Sequence, residues 1–196
     1  MTHDEAAPAT AALATDVSAA SAAGDPVPDV EKHEKEPDPR DVARQIVLRQ
    51  LAMAPRSRAE LLQKLAQRGC TADVADAVLD RMTQVGLVDD EAYAHMLVRT
   101  QQAGRGLAKR ALARELRTKG IEDHLAEEAL TSISDADERD RARALVDKKL
   151  RAMHGLGIEV QTRRLVGMLA RKGYSSNMTY AVIREAIADA PEHLPD

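Results

Sequence analysis

The sequence has no phenylalanine, no tryptophan and only three tyrosines. A core built from it must therefore come from leucine, valine, isoleucine, methionine and alanine. With the abundant Glu, Lys and Arg, that composition favours helices over sheets. The single cysteine, Cys70, excludes an internal disulfide and suits a reducing compartment. No candidate base neighbours it, so it reads as a small buried hydrophobe. No apolar run approaches the roughly 18 residues needed to span a bilayer. The N-terminal MTHDEAAPATAALATD carries acids where a secretory signal carries bases. A cytoplasmic protein with no membrane contact is expected.

Catalytic signatures are missing as well. There is no Walker loop, no G-x-S-x-G, no H-E-x-x-H and no Cys/His pair. The histidines, at 3, 33, 95, 124, 154 and 193, show no metal-ligand spacing. The expectation is a protein that is not an enzyme, with no catalytic residue, no cofactor and no metal.

The net charge of −4 conceals a division. Residues 1–40 hold nine acids, three bases and five of the eight prolines, with few large apolar side chains. That composition predicts a disordered acidic tail. The remaining 25 bases and 23 acids leave residues 41–196 mildly basic.

The rest of the chain repeats itself. KLAQRGCTADVADAVL, ELRTKGIEDHLAEEAL and MLARKGYSSNMTYAVI align on Gly69, Gly120 and Gly173. Leucine stands four residues before each glycine (Leu65, Leu116, Leu169) and eight before (Leu61, Leu112, Leu165). The residue just before is always basic: Arg68, Lys119, Lys172. Val74, Leu125 and Met178 follow at one shared offset, and Leu79, Leu130 and Ile183 at another. A period near 50 residues indicates stacked helical units. Each copy reads as a helix with an i, i+4 leucine stripe, closed by a left-handed glycine and followed by a second helix. The basic residue suits the negative end of the helix dipole. Ser57 and Glu60 form a capping box, and Thr71 and Ser175 are candidate N-caps.

A further helix precedes each pair. Its apolar face is Ala43, Ile46, Val47, Leu51 and Ala54 in the first unit, and Tyr93, Met96, Leu97 and Thr100 in the second. In the third, Ser134 and Asp137 cap a stripe of Ala142, Leu145, Val146, Lys149, Leu150 and Met153, where Lys149 snorkels outward. The fold predicted is all-α, with three tandem three-helix repeats and nine helices in an elongated, curved array. Repeat one spans 41–88, repeat two 89–134 and repeat three 135–188, with a C-terminal tail at 189–196.

The run Asp89-Asp90-Glu91 lies where repeat one passes into repeat two. Adjacent carboxylates can hold a metal, but they also open helices. Asp89 is placed as an N-cap, with Asp90 and Glu91 in the first turn where the dipole favours negative charge. Charge of the other sign concentrates in GRGLAKRALARELRTKG, residues 104–120, where Gly104-Arg105-Gly106 marks a helix junction. Arg105, Lys109, Arg110, Arg114, Arg117 and Lys119 face a lone Glu115. Arg110, Arg114 and Arg117 fall within roughly 60° of one another on a helix, opposite Ala108, Leu112 and Leu116. Such a stripe is either a solvated face or a surface for an anion, nucleic acid or acidic protein. Few aromatics remain to stack on bases, so binding is expected to be electrostatic and largely blind to sequence.

Three segments then resemble the RecX regulatory proteins of bacteria. They are Arg56-Ser57-x-x-Glu60-Leu61-x-x-Lys64-Leu65 with Arg68-Gly69, Gly86 through Ala94 (GLVDDEAYA), and Glu115 through Ile121 (ELRTKGI). Arg171-Lys172-Gly173-Tyr174 looks like the weaker third repeat of that family, and the likeness spans about residues 41–188. The acidic tail has no counterpart in the family pattern. The resemblance implies a nine-helix modulator that binds the RecA filament on DNA; dimerisation is not signalled, so a monomer is expected. It also implies restraint of strand exchange, ATP hydrolysis and LexA co-cleavage, and so a place in DNA repair and the SOS response. The alternative is a DNA-binding regulator of helix-turn-helix type. Against it, no helix pairs Arg with Asn or Gln on a face suited to reading base edges.

Overall fold

In the computed structural model, residues 38–189 are described. Residues 1–37 and 190–196 lie outside them, and with them nearly all of both predicted tails. Nine helices run through the described residues, with no strand among them. They are α1 (Pro39–Met53), α2 (Arg58–Gln67), α3 (Ala72–Gln84), α4 (Asp90–Arg105), α5 (Lys109–Thr118), α6 (Asp123–Thr131), α7 (Asp135–Arg151), α8 (Ile158–Lys172) and α9 (Ser176–Ala188). The first begins inside the segment read as tail, because the Asp38 carboxylate accepts from Arg40 N and Pro39 opens the helix. Among the described residues, no helix is long and apolar enough to cross a membrane.

Each successive trio closes its own core. The paired leucines that precede each glycine supply the centre of all three: Leu61 and Leu65, Leu112 and Leu116, Leu165 and Leu169 are all buried. Val47, Leu79 and Val88 complete the first core, and Cys70, half-buried, packs against it as a small apolar group. Tyr93, Leu97, Val98 and Ile121 complete the second; Val146, Tyr174, Val182 and Ile183 complete the third. The α4 face differs from the one read in sequence. Thr100 is exposed, and Ala94 and Val98 are buried beside Tyr93 and Leu97. The stripe widens to adjacent positions because α4 packs on both α5 and α6. Lys149 stands exposed.

The caps explain where the helices start. Ser57 Oγ accepts from Glu60 N while the Glu60 carboxylate accepts from Ser57 N, closing a full box; Ser134 and Asp137 repeat it on α7. Ser175 accepts from Met178 N. Thr71 occupies the N-cap position of α3 but makes no side-chain bond to that helix's backbone; its hydroxyl instead bonds Asp73. Asp89 Oδ1 accepts from Ala92 N at 2.8 Å. Asp89→Ala should therefore cost about 1 kcal/mol in urea unfolding, the usual loss for an N-cap. A cost near zero would mean that another group can cap α4.

Candidate functional site: the joints and the basic face of the middle repeat

In the second and third repeats, the residue just ahead of the closing glycine does more than face a dipole. Aligned on the glycines, Ser57 and Ala108 hold one position, the residue before the middle helix, and both reach into the next repeat. Ser57 Oγ donates to the Lys119 carbonyl at 2.6 Å, and Ala108 N donates to the Lys172 carbonyl at 2.9 Å. The first N–H of each of these helices, an orphan donor by helix geometry, is capped from the following repeat. Arg58 N donates to Asp90 Oδ1 at 2.8 Å, and Lys109 N to Glu138 Oε1 at 3.0 Å. Gly120 lies against Ala59, and Gly173 against Ala111. A tyrosine closes each joint: Tyr93 OH donates to Glu60 Oε2 at 3.2 Å, and Tyr174 OH to the Gly106 carbonyl at 3.1 Å. The three repeats are thus joined twice by one device, which the sequence alignment did not reveal because its partners lie 29 to 68 residues apart.

The electrostatics of the first joint centre on Glu60. Burial alone would raise its pKa, but the hydrogen bonds from Lys119 Nζ and Ser57 N, with the Lys119 charge, hold it below the ordinary glutamate value. Burial, then the Glu60 charge, pushes the Tyr93 phenol up to about 12. Asp90 moves the other way from Glu60: burial raises it, against the Arg58 N–H that lowers it. A depressed glutamate contributes stability that is fully present above its unfolded pKa and lost as pH falls through the folded value. Urea midpoints of the wild type and Glu60→Gln should accordingly differ most at neutral pH, begin to draw together near pH 4.5 and meet only below the depressed folded value. A gap that does not narrow in acid would assign the effect to packing alone.

Of the basic residues singled out in sequence, the structure uses several internally. Lys119 Nζ pairs with Glu60 at 2.6 Å across the joint. Arg105 pairs with Glu115 at 2.5 Å, Lys109 with Asp135 at 3.4 Å and Arg117 with Asp123 at 3.1 Å. Arg110 and Arg114 are exposed on α5 and have no ion-pair or hydrogen-bonding side-chain partner among the described residues. Ala111, Leu112 and Leu116 bury the opposite face of the same helix. The arginine stripe therefore exists as a surface, and its freely available part is Arg110 and Arg114. Gly106, left-handed at φ 61°, ends α4 and turns the chain into α5, which fixes where that face starts.

These features define a class: an all-α protein of three tandem three-helix repeats, with a basic face on the middle one. Sequence profiles described as the first, second and third three-helix domains of RecX match residues 43–82, 89–130 and 136–183 respectively. The chain is 46% identical over 169 residues to the regulatory protein RecX of Streptomyces coelicolor, covering 85% of this chain and 90% of that one. It is 47% identical over 145 residues to that of Thermobifida fusca, covering 74% and 78%. The crystal structure of RecX from Lactobacillus salivarius shares the fold, with a TM-score of 0.68 at 23% identity over 76% of this chain and 97% of that one. A second crystal structure of regulatory protein RecX gives a TM-score of 0.66 at 24% identity, over 76% and 72%. The chain belongs to the RecX family of regulatory proteins.

Proposed function

We propose that this chain binds the RecA recombinase filament and restrains its activities in recombination and the DNA-damage response. It does so as a cytoplasmic monomer without catalytic chemistry of its own. DNA is an auxiliary, sequence-independent contact. Family membership supports the regulatory role, and one observation carries the contact: Arg110 and Arg114 stand exposed on the middle repeat, with no side-chain partner among the described residues, opposite the face that anchors their helix. Free guanidinium groups suit both the acidic side chains of a protein filament and the phosphates of its DNA. The joints support the reading too, because cross-repeat caps hold successive helices in register and so present the face as a pre-organised surface.

The decisive experiment is co-sedimentation with RecA assembled on single-stranded DNA, compared with naked duplex at the same salt. Preferential retention on the filament, with slowed RecA-driven ATP hydrolysis, is expected. Equal or stronger retention on naked duplex would favour a helix-turn-helix DNA regulator instead.

A further inference from the structure

Of the three acids that open α4, two have their work accounted for. Asp89 caps its own helix and Asp90 caps α2 across the joint. Glu91 does neither. One helical turn on is His95, and from α6, which packs against α4, comes Glu128. One donor atom from each of these three side chains lies within 4.8 Å of the others. None of the three side chains has a hydrogen-bond or ion-pair partner among the described residues. Two carboxylates and an imidazole thus converge from two helices.

The two carboxylates repel, and among the described residues neither has an ion-pair partner to relieve it. Their neighbours deepen the negative field. A cleft of about 430 Å³ beside Glu91 is lined by Asp89, Asp90, Glu122 and His124, and by Arg58, whose charge is met by Asp76 and Asp80. A divalent cation would be drawn to this corner and would reach Glu91 from solvent.

We propose that Glu91, His95 and Glu128 form a binding site for a divalent transition-metal ion that ties α4 to α6 in the middle repeat. The donor set selects the ion. Two carboxylate oxygens and one imidazole nitrogen suit zinc, cobalt or nickel, whereas magnesium and calcium prefer oxygen alone. The i, i+4 pair on α4 presents two donors on one side of the helix, and Glu128 supplies the third from across the contact. Ligands about 2.1 Å from zinc stand roughly 3.5 Å apart in a tetrahedral site. The two exposed glutamates can close that gap by changing rotamer, with His95, half-buried, as the fixed donor. Remaining coordination positions are left to water. An ion held only by the folded arrangement stabilises the fold by mass action. The sequence did not show the site because Glu128 lies far from the other two along the chain, and because Glu91 and His95 alone make only half a site.

The test uses the untagged full chain, stripped with chelator, and titrates it with zinc by calorimetry and with cobalt by visible absorption. The wild type should bind one ion in a saturable step at this site and melt at a higher temperature with zinc present. His95→Gln and Glu128→Gln should each weaken that step at least about tenfold, since losing a ligand costs no less than losing its supporting shell. Both variants should keep the helical circular dichroism of the wild type. His124→Gln, beside the cleft but outside the cluster, should bind as the wild type does. Absence of saturable binding up to millimolar ion overturns the proposal. So does binding that survives both ligand substitutions, or that disappears with His124→Gln alone.

Discussion

Gly120→Ala and Gly173→Ala should each destabilise the protein by about 3 kcal/mol, whereas Gly69→Ala should cost only about 1 kcal/mol. All three glycines close a helix with positive φ, 80°, 71° and 90° in chain order, so each substitution meets the left-handed strain of an L residue. They differ in what lies beyond the Cα. A Cβ at Gly69 would meet nothing within 4 Å. One at Gly120 would run into Ala59, and one at Gly173 would come within 2.7 Å of both Ala111 N and Cβ. Ala111 N is helix backbone and cannot yield without moving α5, so overpacking adds to the strain there. Repeat one is first among the described residues, and Gly69 docks against no other repeat there. The measurement is urea unfolding followed by circular dichroism, with midpoint and slope compared across the three variants. Equal costs at the three positions would mean that the joints do not hold the repeats together.

Reversing Arg110 and Arg114 together to glutamate should abolish RecA inhibition while leaving the fold in place. The pair is exposed and has no side-chain partner among the described residues, and α5 is anchored from the other side by Ala111, Leu112 and Leu116. Arg117→Glu should have a smaller functional effect, because Arg117 already pairs with Asp123. Lys119→Glu should act chiefly on stability, since it sets two carboxylates against each other where Lys119 now pairs with Glu60. Salt dependence separates the partners. Each lost duplex phosphate contact lowers the slope of log affinity against log salt by about 0.9, or about 0.7 on single strands. Lost contacts to RecA acids would appear mainly as slower association. A folded double variant that still inhibits RecA-driven ATP hydrolysis at wild-type concentrations would reduce the stripe to a solvated face.

The positions of the helices were legible in sequence because they are set locally. The leucine stripes, the Ser57 and Ser134 boxes, the Asp89 cap and the closing glycines are all decided within one or two turns. The absence of phenylalanine and tryptophan likewise dictated cores of leucine, valine and alanine, with Tyr93 and Tyr174 as their only aromatic members. The exposure of Arg110 and Arg114 followed from the same helical period.

What each charge does was decided by tertiary structure. The sequence placed Asp90 in a helix's first turn; only the fold brings Arg58 N to its carboxylate. Lys119 reads as one more base in a basic run, until the joint sets it on Glu60. Glu91 and His95 became a candidate metal site only when α6 delivered Glu128. Helix formation depends on neighbours three and four residues away, which a single sequence displays. An ion pair, a cross-repeat cap or a ligand set depends on which distant turns meet, and packing alone settles that.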